Sequence, residues 1–118
     1  MLTLPSNVSV LLHRDPVDIR KSFDGLIGIV RGSLRVDPLT PTFFVFFNKS
    51  RDKIKILYWD NDGFAIWYKR LEKGTFHLTL PTAGELSVTL SRAQFAMLLE
   101  GIDFQNVKQR KRFFKKTA

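Results

Sequence analysis

The chain has no cysteine among its 118 residues, and it has only two histidines, His13 and His77. The absence of thiols excludes disulfides and thiolate metal sites, and it fits a reducing compartment. Long apolar runs are missing as well. The N-terminal segment MLTLPSNVSVLLHRD carries no basic side chain ahead of its apolar stretch, and that stretch is too short to span a bilayer. We therefore expect a soluble, cytoplasmic protein.

The composition is that of a folded domain with an uneven charge. Apolar residues make up 44% of the chain and 11 residues are Phe, which excludes a disordered chain. The net charge is +8, and six cations without an acid lie between Lys108 and Lys116, so removing them leaves about +2 for residues 1–107. We predict one domain over residues 1–105 and a basic, flexible tail over residues 106–118 with polyanions as its natural partners.

The first half of the chain predicts a strand, a helix and a second strand. Residues 8–12 are typical of a short strand. Asp15 and Pro16 predict a helix start, because Asp accepts hydrogen bonds from free N–H groups and Pro suits the first helical position. Apolar residues at steps of three and four extend this helix to about Ser33. The run Thr42–Phe47 is apolar at nearly every position and predicts a central strand covered on both faces.

The second half predicts a hairpin, two more strands and a closing helix. Residues 53–59 and 64–71 are strand-like and flank a turn, in which we predict a three-residue loop with Gly63 in the left-handed conformation. Residues 75–80 and 86–90 alternate apolar and polar side chains. Ser91 with Gln94 has the form of a capping box, and Gly101 is placed to end the helix. The predicted order is β-α-β-β-β-β-β-α, an α+β fold with a mostly antiparallel sheet of about five to six strands and two helices.

The acidic turn offers the only argument for catalysis. Asp60 and Asp62, with Glu72 as a third acid, can be interpreted as a divalent metal site, but Asp and Asn are also the preferred residues of hairpin loops. A DNA-cutting transposase needs carboxylates that converge from separated elements on two metals. The two histidines lie far apart in the chain and form no spaced pair. We therefore predict a protein that is not an enzyme and has no cofactor or catalytic residue.

Cations interleaved with aromatic residues form a stronger pattern. Lys53, Lys55 and Trp59 share one strand face, and further cations lie beside Trp67. Such a surface can contact phosphates and stack on bases, although the cations also suit a solvated strand face and the Trp residues a core under a helix. The candidate phosphate contacts are Arg20, Lys21, Arg31, Lys49, Arg51, Lys53, Lys55, Lys69, Arg70, Lys108, Arg110, Lys111, Arg112, Lys115 and Lys116.

Three blocks of sequence carry a resemblance to a known family. They are DIRKSFDGL at residues 18–26, KILYWD through YKRLEKG at residues 55–74, and MLLEGID at residues 97–103. In this order they resemble the accessory protein called TnpB, or second-reading-frame protein, of bacterial insertion sequences of the sixty-six type. The family is distinct from the RNA-guided nuclease that shares the name TnpB.

The resemblance implies a protein encoded beside a separate, larger transposase and needed for efficient transposition. It brings no active site. Our first hypothesis is a non-catalytic accessory factor that binds DNA and assists the transposase. The alternative is a protein-interaction module that docks on the transposase or another element-encoded protein, with Arg20, Lys21 and Asp24 as its docking surface and no direct recognition of DNA. The oligomeric state is left open.

Overall fold

The computed structural model describes residues 2–78, 80, 82–103 and 108–109. Its elements are β1 (Ser9–His13), α1 (Phe23–Gly32), β2 (Thr42–Phe47), β3 (Lys53–Asp60), β4 (Gly63–Arg70), β5 (Ser87–Leu90), α2 (Arg92–Glu100), β6 (Ile102–Asp103) and β7 (Lys108–Gln109). Five strands form one sheet in the order β4-β3-β2-β1-β5, while β6 and β7 pair separately. The β1–β2 pair is parallel and the other pairs are antiparallel. The predicted α+β class and mostly antiparallel sheet are confirmed.

Each helix covers one face of the sheet. Leu26 and Val30 of α1 pack with Phe44, Phe46 and Leu57. On the opposite face, α2 packs through two buried residues, and the large cluster there also holds β1, β2 and β3 side chains. Every residue of β2 from Phe43 to Phe47 is buried. The apolar run was thus correctly predicted as the central strand, because a strand between two helical layers has no polar face.

The first helix begins at Phe23 rather than at Pro16, so its predicted start is wrong. The Val17 N–H donates to the Phe47 carbonyl at 2.8 Å, and the Asp18 carboxylate accepts from the Arg20 N–H at 3.0 Å. These bonds hold residues 15–21 as a crossover along the end of the sheet. Asp and Pro are as typical of turns and loops as of helix starts, and here residues 15–18 form an irregular segment. The predicted helix end is confirmed, because α1 ends at Gly32.

The central hairpin is also tighter than predicted. Gly63 is the first residue of β4 and pairs with Asp60, so the loop has two residues, not three. Asn61 adopts the left-handed conformation, with φ 63°, in the place predicted for Gly63. Asn tolerates this region better than most residues because its short side chain can bond locally.

The region of residues 75–80 was predicted to be a strand, but its described residues belong to none. The Phe76 N–H donates to the Arg51 carbonyl at 2.7 Å, and the Phe76 side chain is only 2% exposed. Leu78 packs against the same core cluster. The apolar alternation therefore reflects burial of two side chains against the sheet, and the β1 edge is taken by β5.

The closing helix follows its predicted signals. The Ser91 Oγ accepts from the Gln94 N–H at 3.0 Å, and the Gln94 Oε1 accepts from the Ser91 N–H at 2.8 Å, which is a complete capping box. Gly101 ends the helix with φ 80°, and its N–H donates to the Met97 carbonyl. Within the described residues, neither helix has the length and apolar character needed to cross a membrane.

Candidate nucleic-acid interface

The topology brings most of the described cations to one end of the sheet, here called the basic end. The last residues of β1, β2 and β4 and the first residues of β3 and β5 meet there. Four segments cover this end: residues 14–21, 48–53, 69–73 and 82–86. Together they hold nine Lys or Arg residues and five Asp or Glu residues, a net charge of +4. The sheet thus collects cations that are widely separated in the sequence.

The opposite end of the sheet is electrically balanced. It is covered by residues 2–8, 31–41, 60–63 and 91–92, which hold three cations and three acids. Arg31 lies here, because α1 runs away from the basic end and Arg31 is in its last turn. The Asp60–Asp62 turn lies here as well. Arg31 is therefore separated by the length of the helix from the predicted phosphate contacts at the basic end.

Lys55, in β3, contacts the crossover formed by residues 15–21. Its Nζ donates to the Lys21 carbonyl at 2.8 Å and lies 4.8 Å from the centroid of the Tyr68 ring. Lys55 is only 8% exposed, in contrast to the other predicted contacts in the described residues. A buried ammonium needs such partners, since an unpaired one pays the full cost of desolvation. The ammonium group of Lys55 therefore binds partners inside the protein and is not presented to solvent.

The turn of residues 48–53 carries two exposed cations on a backbone that side-chain hydrogen bonds hold in place. Asn48 makes these hydrogen bonds: its Nδ2 donates to the Asp52 Oδ1 at 2.6 Å, and its Oδ1 accepts from the Asp52 and Lys53 N–H groups. Arg51 is left-handed, with φ 58°, and its guanidinium lies 5.9 Å from the Phe47 ring centroid. Lys49 and Arg51 are both exposed at the tip. Their backbone positions are therefore fixed while their charged groups face solvent.

Three of the predicted cations are paired with acids. The Arg20 Nη2 lies 2.8 Å from Asp18, the Arg70 Nη2 lies 2.8 Å from Glu72, and the Lys53 Nζ lies 3.5 Å from Asp52. Arg20 holds the pKa of the Asp18 carboxyl down at about 2, and Asp18 in turn raises the Arg20 pKa. The Asn48 amide, more than Lys53, lowers the pKa of Asp52. Both arginine pairs are exposed, and such pairs contribute little to stability because water screens them.

Five cations at this end have no acid within 4 Å in the described part of the chain. They are Lys21, Lys49, Arg51, Lys69 and Lys73. Lys69 and Arg70 were predicted as neighbours in one patch, but their strand pairing sets them on opposite faces of the sheet: Lys69 stands opposite Ile54 and Arg70 opposite Lys53. The unpaired cations therefore surround the end of the sheet rather than line one of its faces.

The aromatic residues mostly lie away from the basic end. Trp59 lies at the opposite end, with its ring edge-on to Phe64 at 5.1 Å. Trp67 packs on the large core cluster. Tyr68, 50% exposed above Lys55, is the exception. The expected mixture of cations and stacking rings on one surface is thus reduced to Tyr68 in the described residues.

Arg14 is a cation at the basic end that the sequence did not predict, and Lys108 is the described cation of the predicted tail. Arg14 lies at the basic end, 4.0 Å from Asp15, and was missed because it follows the strand instead of belonging to a basic run. Counting cations at strand ends after pairing the strands would have found it. In the predicted tail, Lys108 pairs through β7 with Asp103 of β6. The remaining tail cations lie outside the described residues: Arg110, Lys111, Arg112, Lys115 and Lys116.

The alternative metal and histidine sites gain no geometric support in the described residues. There, no group of three or more His, Asp or Glu residues is arranged to hold a metal ion. His13 is 7% exposed, its Nδ1 lies 2.8 Å from the Asp15 carbonyl, and its ring packs at 5.5 Å on Phe46. These contacts are those of a structural histidine at the end of a strand.

Comparisons with known proteins identify, over most of the chain, the family that the three sequence blocks resemble. A family model described as "IS66 Orf2 like protein" matches residues 8–109. Two relatives come from Sinorhizobium fredii, and both are named only as uncharacterized proteins. The protein y4jC is 32% identical over 101 residues, covering 86% of this chain and 85% of its own length. The protein y4hO is 33% identical over 106 residues, covering 90% of each. No solved structure matches the chain.

Proposed function

Since the chain belongs to the family of IS66 Orf2-like proteins, which associates it with insertion sequences as an accessory protein, we propose that it docks on DNA through its basic end and assists a separate transposase without catalysing a reaction. The observation that carries this proposal is the polarity of the sheet, with nine cations and five acids at one end and three of each at the other. The family is not a known class of enzyme. We expect the protein to act in the bacterial cytoplasm, where the DNA lies.

The unpaired cations supply the affinity in this proposal. Lys and Arg that contact phosphates release counterions from the duplex, and each contact contributes about −0.9 to the slope of log K against log salt. Five unpaired cations at the basic end would give a slope of about −4.5 before any contribution from the tail. Since the aromatic residues mostly lie elsewhere, we expect contacts to the backbone rather than to bases, and thus weak dependence on sequence.

Charge removal at matched sites tests this proposal. We would measure fluorescence anisotropy of a labelled duplex at several salt concentrations with the full chain and with Lys49→Gln/Lys73→Gln. The loss of two phosphate contacts should weaken binding and flatten the salt slope by about 2. The control Arg31→Gln/Arg35→Gln removes the same charge at the opposite end and should change the slope little. Equal effects of the two variants would mean that only net charge matters, and would overturn docking through the basic end.

A second candidate function is docking on a protein, and one observation favours it. Phe23 at the start of α1 is 43% exposed and lies beside the exposed Lys21 and Asp24. An exposed aromatic ring among charges is typical of interface anchors. In this alternative the transposase, or another element-encoded protein, is the partner.

Co-purification with the element's transposase in high salt tests the alternative, because salt suppresses contacts mediated by DNA. Phe23→Ala should abolish co-purification while leaving the salt slope for DNA unchanged. The exposed Leu86→Ala, remote from α1 along the chain, is the control. Retention of the transposase by Phe23→Ala would rule out this surface.

A further inference from the structure

Strand β4 is the longer free edge of the five-stranded sheet. It has eight residues and lies at the end of the strand order, and in the part of the chain that the structure describes no strand pairs with its outer side. The Leu71 N–H donates to the Asp52 carbonyl at 2.7 Å. In an antiparallel pair the bonded residues alternate, so the odd-numbered residues of β4 bond to β3. The N–H and C=O groups of Phe64, Ile66, Tyr68 and Arg70 therefore point outward.

Over its first six residues this edge lacks the usual protection against pairing with another strand, and its two cations, Lys69 and Arg70, lie at the far end. Natural edge strands are short, or carry charges, prolines or bulges. The other edge, β5, has four residues. In β4 the first six residues, GFAIWY, are uncharged and contain no proline, and Tyr68 is 50% exposed. An open, regular and apolar edge of this length favours addition of a strand.

We propose that a second copy of the chain pairs along β4 in antiparallel orientation, with Ile66 opposite Ile66 of the other copy. In this register Phe64 of each copy stands opposite Tyr68 of the other. Asp62, the turn residue that precedes β4, stands opposite Arg70 at both ends of the pairing, and the exposed Arg70 guanidinium then lies between Asp62 of the other copy and its own Glu72. The Ile66 pair and the two Phe64–Tyr68 pairs join residues whose backbone groups point outward, as hydrogen-bonded pairs require. The strand is thus complementary to itself in backbone, in apolar side chains and in charge.

The charges favour this register over the neighbouring ones. They also favour a second copy of the chain as the strand that pairs with β4. Moving the pairing by one step, with Trp67 opposite Trp67, places Phe64 opposite Arg70 and Asp62 opposite Glu72. Moving it one step the other way, with Ala65 opposite Ala65, places Asp62 opposite Tyr68, so in both registers Asp62 has no cation opposite it. Only antiparallel pairing brings the acidic turn of one copy to the basic end of the other, because the turn that holds Asp62 precedes β4 and Arg70 is the last residue of that strand. The pairing supplies about six backbone hydrogen bonds between Phe64 and Tyr68. One strand pair is a small interface, so dimerisation should depend on concentration.

Charge reversal and charge exchange test the register in the absence of DNA. By sedimentation velocity, the full chain should shift from the 13.6 kDa monomer to a species of about twice that mass as its concentration rises to about 100 µM. Arg70→Asp alone, or Asp62→Arg alone, places like charges opposite each other and should weaken dimerisation about tenfold. The double variant Asp62→Arg/Arg70→Asp restores opposite charges and should restore dimerisation.

Two controls separate dimerisation from folding and from net charge. Circular dichroism checks that each variant is folded, and Glu85→Arg makes the same charge change as Asp62→Arg at a site away from β4. Backbone amide exchange gives an independent readout: Phe64, Ile66 and Tyr68 should become protected as the concentration rises. A wild-type chain that stays monomeric, a double variant that stays as weak as the single ones, or protection confined to other strands would each overturn the proposal.

Discussion

The contact of Lys55 with the crossover should be measurable as stability. In Lys55→Met the side chain keeps its apolar stem but loses a charged hydrogen bond of 2.8 Å to the Lys21 carbonyl and a cation–π contact at 4.8 Å. Hydrogen bonds to charged groups contribute about 1.5–3 kcal/mol, and cation–π contacts near the surface about 0.5–1 kcal/mol. Lys21 is exposed, so in the variant water can donate to its carbonyl and replace part of the lost hydrogen bond. We therefore expect a net destabilisation of about 2 kcal/mol.

Equilibrium urea unfolding measures this difference, and a loss of about 2 kcal/mol corresponds to a fall in Tm of roughly 10 °C for a domain of this size. Lys53→Met is the matched control, on the same strand face as Lys55. Its ammonium lies 3.5 Å from Asp52, and its side chain is 28% exposed. The control should lose less than about 1 kcal/mol. Equal stability of Lys55→Met and wild type would refute the reasoning, since the crossover would then not depend on this ammonium.

Three other perturbations follow from local geometry and can be checked by the same unfolding assay. Asn61→Ala should lower the free energy of unfolding by about 1 kcal/mol, because Asn61 has φ 63° and Ala disfavours that conformation. Gly63→Ala should lower it little, since no atom lies within 4 Å of the added Cβ. A larger loss for Gly63→Ala than for Asn61→Ala would instead support a three-residue loop with Gly63 in the left-handed conformation. Ser91→Ala should cost about 1 kcal/mol through loss of the capping box, and no loss would mean that the cap is dispensable. The folded-state pKa of Asp52 is lowered, so its contribution to stability is present above its ordinary pKa of 3.8 and is lost as pH falls through the lowered value. Asp52→Asn should therefore reduce stability at neutral pH and flatten its decline in acid, and an unchanged acid decline would contradict this.

The sequence predicted the features that depend on burial and on local hydrogen bonding. The run Thr42–Phe47 could be identified as central because its residues are apolar on both faces, and the Ser91 capping box was visible from spacing alone. The start of α1 was misplaced because Asp-Pro suits both a turn and a helix. Only the hydrogen bond from Val17 to Phe47, which is distant in the sequence, decides between them.

The candidate surface could be predicted in composition but not in arrangement. Runs of Lys and Arg indicated a polyanion partner, yet the parallel β1–β2 pair decides which strand ends meet. That pairing separates Arg31 from the basic end and adds Arg14 to it. Burial of Lys55 was not foreseeable either, because its strand position is typical of a solvated face, and its partner carbonyl comes from a distant crossover.

Docking through the basic end can be tested directly by NMR titration of the ¹⁵N-labelled full chain with a short duplex. We predict that amide shifts will concentrate in residues 14–21, 48–53 and 69–73 and leave residues 2–8, 31–41 and 60–63 unchanged. Shifts confined to the opposite end of the sheet, or to residues beyond 103, would contradict the account, because the folded domain would then not use the charge that its strands collect.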